Sequence, residues 1–558
     1  MAMSTIKEIT DNELSFVPCL RYNGMKQFIG VQSIHRMASH SSGRAANDLY
    51  NCPAVRKPTL AQVKDIAKDL GFQYEDDDIQ KYKAIIGESI DSINSVEHLV
   101  EPRLPTRYPR LPGYRPKQQD NPYNAWYWRC EIQGASGGKL AGKRVAIKDN
   151  AAVAGVPMMN GCHALEGFTP DFDATVVTRI LDEGGSIAGK TVCENLCLSG
   201  SSYTAAKGPV MNPHDTTRSS GGSSSGSAVV VLAGDVDMAI GSDQGGSIRM
   251  PAAWTGIVGL KPTYGLVPYT GVWSIEPSFD HIGPMARTVH DCAQLLEVIA
   301  GYDHGKDHRQ CQHITVPEYI KELEGSSVSG IRIGLLEEGL NNPNADSAVS
   351  GIVENLVNKL SMFGASIGRI SVPLHLKAPG IWNCIAEGVF ETTVRHGGVG
   401  SGHPGFYPSG FINESGKMFK SRPNDISDHM KLALMKAEYL KKNYHGRVYG
   451  RGRNLTILLR EAYEKALEEV DIIAMPTIPF TATKLLSKDD PICEYHRRAS
   501  EVNVNTHPFN LTGHPALSVN AGFLEGLPVG LMLVGRHNDE LTIFKVAQAV
   551  EKIRDETN

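Results

Sequence analysis

The residues best able to do chemistry lie in two glycine- and serine-rich stretches, 221–226 (GGSSSG) and 243–249 (DQGGSIR), with a lysine upstream in 145–150 (VAIKDN). Serine hydroxyls and a lysine amine can attack carbonyls and move protons, and glycine lets backbone amides converge on an anion. Several short patterns compete for these residues. Residues 184–191 (GGSIAGKT) match a phosphate-binding loop, in which Lys190 would reach a phosphate. Such a loop follows a strand and opens a helix, whereas here a helix pattern precedes it and 186–189 is itself the apolar strand, so Lys190 is read as structural. Residues 145–148 (VAIK) spell the strand lysine of protein kinases, but no glycine-rich loop stands upstream and no HRD or DFG triplet follows, which excludes a kinase. Residues 222–226 (GSSSG) fit the nucleophile elbow of α/β-hydrolases and would make Ser224 a nucleophile. That pattern is weak in a serine-rich run, and no His–Asp pairing is legible to support it.

The surrounding elements must hold these loops. Residues 144–147 read as a strand, 175–182 as a helix, 186–189 as a strand and 228 onward as a buried helix, an alternation that predicts an α/β domain. Of 558 residues 56 are glycine, and many fall between 200 and 271, the mark of backbone brought close to a ligand or forced to positive φ. Upstream, Thr59 and Gln62 form a capping box ahead of Leu60, Val63, Ala67 and Leu70 at helical spacing. A second helix follows Asp76, Asp77 and Asp78 and places Ile79, Tyr82, Ile86, Ile90 and Ile93 on one face. Prolines 102, 105, 109, 112, 116 and 122 impose an extended strap. The expected organisation is an irregular extension at 1–55, a helical domain at 56–100, the strap at 101–125, a catalytic domain at 126–304 and 500–558, and an inserted smaller domain at 305–499 that closes over the site.

The run 221–265 (GGSSSGSAVVVLAGDVDMAIGSDQGGSIRMPAAWTGIVGLKPTYG) resembles the amidase signature of the amidase-signature hydrolases. VAIKDN at 145–150, DATVVTRILDEGGSIAGKTVCENL at 173–196, and HPALSVNAG with PVGLMLVG near the C-terminus extend the likeness over most of the chain. The helical N-terminus and YPRLPGYRPKQQDNPYNAWY at 108–127 resemble the subgroup that includes nitrile-pathway amidases and fungal urethanases. The resemblance implies an α/β fold with a central mixed β-sheet flanked by helices. It implies Ser247 as nucleophile, Lys148 as general base and acid, and Ser223 as the bridge between them, preceded by a cis peptide that Gly221 and Gly222 make room for. It also implies an oxyanion hole from the backbone N–H groups of Gln244, Gly245, Gly246 and Ser247, flanked by Asp243 and Arg249 as a supporting clamp. Amide and carbamate carbonyls are poor electrophiles, so the reaction needs an activated nucleophile, a proton for the leaving amine and donors for the oxyanion. Lys148 can serve only as a neutral amine, which burial beside Val145 and Ile147 favours, and lowering a lysine pKa by ~3 units costs about 4 kcal/mol. No metal, nucleotide or organic cofactor is called for.

Composition narrows the partners. Lys and Arg total 56 against 61 Asp and Glu, a formal net charge of -5, with 41% hydrophobic residues. That balance excludes a disordered chain and offers no basic surface for nucleic acid or an anionic membrane. Apolar runs such as 228–233 fall far short of the ~20 residues of a membrane span. The ten cysteines are scattered, and Cys193 and Cys197 lack a second pair at zinc spacing, so both are read as buried free thiols. No secretory h-region is present, so the sequons at Asn413, Asn454 and Asn510 are incidental and the cytoplasm is expected. A mitochondrial address is the alternative if translation starts at Met25, since 25–46 carries Lys26, Arg36 and Arg44 and no acid. The expected activity is hydrolysis of small-to-medium uncharged amides with release of ammonia; the alternatives are a urethanase acting on ethyl carbamate and the catalytic subunit of a glutamine-tRNA amidotransferase. The N-terminal extension speaks against the second of these, and retention of Lys148, Ser223 and Ser247 together speaks against a scaffold without catalysis. Pocket walls are expected from the middle insertion and from Trp126, Trp254 or Trp273. The resemblance further implies a homodimer formed through the helical extension.

Overall fold

The computed structural model describes residues 55–557 other than Ala386 and Lys488; the extension before them, including 25–46, lies outside the described residues. The chain divides into two units, 1–103 and 104–558. In the first, helices Leu60–Asp69 and Asp76–Asn94 pair. Thr59 Oγ1 accepts from Gln62 N at 3.2 Å and Gln62 Oε1 from Thr59 N at 2.8 Å, closing the capping box. Val63, Ala67 and Ile79 form the small core between the helices.

The second unit is built on a mixed sheet of eleven strands among the described residues. Its strands are β1 (Trp126–Gln133), β2 (Arg144–Lys148), β3 (Ser186–Thr191), β6 (Met238–Asp243), β7 (Val258–Lys261), β8 (His281–Ala286), β9 (Arg332–Leu336), β10 (Ser366–Ile370), β11 (Ile472–Pro476), β12 (Ala516–Leu524) and β13 (Leu527–Val534). A separate ribbon pairs β4 (Met211–Asn212) with β5 (Asp215–Ser219). The spatial order is β1-β3-β2-β6-β8-β7-β12-β13-β11-β9-β10, parallel within β3-β2-β6 and within β11-β9-β10 and antiparallel elsewhere. Strand β2 shows how the sheet sets the site. Val145 and Ile147 point into the larger core, which also takes up helices Thr175–Asp182 and Val289–Ile299. Ala146 points into a second core built around helix Ser225–Leu232, and Lys148 continues the two-residue alternation on that side.

The stretch 305–499, expected as an inserted smaller domain, divides instead between two roles. Three of its segments enter the sheet as β9, β10 and β11, and its helices supply much of a third core together with Phe509, Ala516, Met532 and Val534. Each of those strands is five residues long, too short for a periodicity to separate it from the helices around it. In the Pro-rich stretch, Tyr114 is bridged to Arg129 of β1, and a 3-10 turn follows at Gln118–Asp120.

Candidate active site

Strand β2 ends at Lys148, which is completely buried. Its Nζ lies 2.8 Å from Ser223 Oγ, 2.9 Å from Ser242 Oγ and 3.3 Å from Ser242 O. No carboxylate pairs with it among the described residues. Asn150 Nδ2 donates to Ser242 Oγ at 3.0 Å and so fixes that hydroxyl. Ser223 follows a cis peptide bond from Gly222, and Gly221 adopts φ 76°. A Cβ on Gly221 would stand 2.8 Å from Pro251 Cα, so backbone packing as well as φ demands glycine there. Ser224, the residue that the elbow pattern singled out, donates from Oγ to Ser242 O at 3.1 Å and serves as a backbone tie.

Ser247 lies near the same loop, since Ser224 N donates to Ser247 O at 3.1 Å, and its hydroxyl makes no hydrogen bond to a described residue. The loop that carries it is clamped from below. Asp243 Oδ1 accepts from Gly246 N at 2.7 Å and Oδ2 from Ile248 N at 3.1 Å. Arg249 grips the same carboxylate with Nε and Nη2, both at 2.9 Å, and both residues are wholly buried. Asn510 Nδ2 adds a bond of 2.8 Å to Oδ1 and one of 2.9 Å to the Asp243 carbonyl. Burial alone would raise the Asp243 pKa, but the Arg249 guanidinium and then Asn510 hold it well below the usual carboxylate range. Asp243 and Arg249 are therefore both an ion pair and the support of the loop. Of the four amides expected to converge, Gly246 N–H is committed to Asp243. Those of Gln244, Gly245 and Ser247 make no hydrogen bond to a described residue, which leaves three donors for an anion. Gly246 has φ 133°, and a Cβ there would collide with Thr506 Oγ1.

The far wall of the loop comes from residues that the sequence did not single out. Trp382 Nε1 donates to Gln244 O at 3.0 Å, and its ring stacks on Phe279 and on His507. His507 packs against Gly245, and burial and the Arg249 charge lower its pKa to about 3, so the ring is neutral. Thr506 Oγ1 donates to Gly245 O at 2.5 Å. These residues follow the signature by more than a hundred positions, so no local spacing could point to them. Trp126, Trp254 and Trp273, expected as pocket walls, are all core residues, and Trp382 is the tryptophan at the loop. Asn510, part of an incidental sequon, is buried in the clamp.

Lys190, Cys193 and Cys197 are buried beside these residues. Lys190 lies on β3 with Nζ 2.9 Å from Asp149 Oδ1, an electrostatic contact without hydrogen-bond alignment, and residues 186–191 are the strand itself. The thiols of Cys193 and Cys197 both donate to Asn160 Oδ1, at 3.5 and 3.2 Å, and remain free. A cavity of about 530 Å³ adjoins the clamp, bounded by Asn510, Leu511, Glu276, Tyr449 and Arg453, and Ser247 does not line it. No helix among the described residues is long and apolar enough to cross a membrane.

Comparison with known proteins agrees with this architecture. The family model for amidases matches residues 124–544. The chain is 44% identical over 437 residues to an enantioselective amidase of Rhodococcus rhodochrous, covering 77% of this chain and 84% of that protein. It is 37% identical over 430 residues to a glutamyl-tRNA(Gln) amidotransferase subunit of Methanosarcina acetivorans, covering 76% and 87%. Among solved structures, the peptide amidase of Stenotrophomonas maltophilia superposes with a TM-score of 0.63 at 27% identity, over 75% of this chain and 84% of that one. With the matched model spanning three quarters of its length, the chain belongs to the amidase family, whose members carry the amidase signature.

Proposed function

We propose that the chain hydrolyses the C–N bond of small-to-medium uncharged amides, with Ser247 as nucleophile and Ser223 and Lys148 as its proton relay. The observation that carries this reading is the set of contacts around Lys148. A neutral amine has two N–H donors and one lone pair. Ser242 O and Ser242 Oγ accept the two donors, which leaves the lone pair to receive the Ser223 hydroxyl proton. Lys148 is completely buried, and no carboxylate forms an ion pair with it among the described residues. In the reaction Ser247 Oγ attacks the carbonyl carbon while its proton passes to Ser223 and the Ser223 proton passes to Lys148. The free amides of Gln244, Gly245 and Ser247 receive the negative oxygen. Collapse breaks the C–N bond, and Lys148 returns its proton through Ser223 to the leaving nitrogen, which departs as ammonia. Water, deprotonated along the same path, then cleaves the acyl ester to the acid and regenerates Ser247.

The likeness to an enantioselective amidase supports the amide reading over a carbamate or a partner-dependent amidotransferase. Cytoplasmic location and a homodimer go with this reading and rest on composition and family resemblance. The test is ammonia release by the purified chain from acetamide, benzamide and ethyl carbamate, beside Ser247→Ala. Release from the amides that the variant abolishes supports the proposal. Release from ethyl carbamate alone makes the chain a urethanase, and no release from any of them moves the assignment to an amidotransferase component that requires partners.

A further inference from the structure

Away from the catalytic loops, one group of three His, Cys, Asp or Glu side chains among the described residues is close enough to share a metal ion. It comprises Glu464, His514 and His537, whose donor atoms lie within 4.8 Å of one another. Glu464 projects from helix Arg447–Glu469, His514 lies between helix His507–Thr512 and β12, and His537 follows β13. The two imidazole rings have centroids 4.0 Å apart, and His537 Nδ1 is 4.0 Å from Glu464 Oε1.

The ring nitrogens account for themselves. His537 Nε2 lies 3.0 Å from the carbonyl oxygen of Thr512, which can only accept, so Nε2 carries the hydrogen and Nδ1 is a bare lone pair on the Glu464 side. His514 Nδ1 is 2.8 Å from Thr512 Oγ1, while its Nε2 is buried with no hydrogen-bond partner in a residue with no exposure at all. Thr512 thus holds the non-ligating nitrogen of both rings, one through its hydroxyl and one through its carbonyl. That is the arrangement by which metal-binding histidines are oriented. The cationic side chains that act on both rings are Lys261 and Arg460. Lys261 and Arg460 also oppose a bound cation, and the Glu464 carboxylate offsets them.

We propose that Glu464, His514 and His537 form a structural site for a divalent transition metal of the zinc class, with water as fourth ligand. Two imidazoles select such an ion over Mg²⁺ or Ca²⁺, and the donors need to draw in to about 3.3 Å of one another for tetrahedral bonds of about 2.0–2.1 Å. Half-exposed Glu464, on its own helix, can supply much of that movement. The ion would fasten helix Arg447–Glu469 to the turns that flank β12 and β13. Thr512 shares helix His507–Thr512 with Asn510, so the site would brace the clamp under the Ser247 loop without touching the reacting atoms.

The test is calorimetric titration of the EDTA-dialysed full chain with Zn²⁺, with Co²⁺ followed by its visible absorption and Mg²⁺ as control. One equivalent of Zn²⁺ is expected to bind and raise the melting temperature, with no response to Mg²⁺. Because His514→Ala could disturb the core, the deciding variants are His537→Gln and Glu464→Gln. The first should abolish that equivalent, and the second should weaken it about tenfold or more, each with the melting temperature of the metal-free protein retained. Failure of the wild-type chain to bind Zn²⁺, or the same stoichiometry and affinity in both variants, would overturn the assignment.

Discussion

Lys148 and Lys190 stand on adjacent parallel strands, both without exposure, and their surroundings differ in kind. Lys190 has a carboxylate, Asp149, at 2.9 Å. Lys148 has two hydroxyls and a carbonyl. A buried lysine beside a carboxylate holds two strands together through the ion pair, whereas one hydrogen-bonded to hydroxyls is placed to exchange protons with them. The largest expected effect tests the second half of that contrast. Lys148→Met should lower kcat/KM on the best amide by about 10⁴-fold or more, with the melting temperature little changed, because no charge is left without its partner. More than a hundredth of wild-type activity in this variant would remove Lys148 from the relay. Lys190→Met should do the opposite, costing about 3–5 kcal/mol of stability by leaving Asp149 buried and uncompensated, with activity per folded molecule largely kept. Urea unfolding measures the first, and turnover normalised to folded protein the second.

The loops divide in a similar way, between groups that face the reaction and groups that support it. Gly246→Ala places a Cβ against Thr506 Oγ1 at a φ unsuited to alanine. It should tilt the neighbouring amides and lower kcat about 10²-fold, roughly the loss of one oxyanion donor, with KM less affected. Ser242→Ala removes the hydroxyl at 2.9 Å from Lys148 and keeps the carbonyl at 3.3 Å, so a drop of about tenfold is expected, with the pH–rate profile displaced. An unchanged profile would mean that Ser242 only fills space.

How much of this was legible depends on where each residue sits in the chain. Lys148, Ser223, Asp243, Ser247 and Arg249 lie within about a hundred residues, and three of them fall within seven positions, so the resemblance to the amidase signature could mark them together. Thr506, His507 and Asn510 reach that loop only because β7 pairs with β12, which no local pattern announces. Trp382 was hidden for the same reason, while the tryptophans nearer the signature were occupied in the core. Strands β9 and β11 were missed because short apolar runs look alike whether they join a sheet or begin a helix, and β10 because it is largely exposed and has no apolar run. The commitment of Gly246 N–H to Asp243 is a matter of backbone direction, which residue types do not specify. Glu464, His514 and His537 come from three elements with no motif spacing between them.

The finest distinction is between two wholly buried ion pairs, Asp149–Lys190 and Asp243–Arg249. Burial raises the Asp149 pKa against the pull of Lys190, whereas Arg249 and Asn510 overcome burial and hold Asp243 low. An unfolded aspartate titrates near about 3.9. Asp243, depressed in the folded state, contributes stability that is complete above that pH and fades only as the pH falls toward its folded pKa. Asp149, raised in the folded state, binds its proton before the unfolded chain does, so stability declines as pH climbs from about 4 through its folded pKa. Removing Lys190 raises Asp149 further. The stability deficit of Lys190→Met relative to wild type should therefore shrink, by about 1–2 kcal/mol, as the pH is lowered from 7 to 4. Asp243 in Arg249→Met retains Asn510 and two backbone amides as donors, so the deficit of that variant should change less over the same range. Urea unfolding of wild type and both variants at pH 7, 5.5 and 4 gives the two slopes. A Lys190→Met deficit that stays flat with pH would mean that Asp149 remains ionised without its lysine, and the contrast between the two pairs would fail.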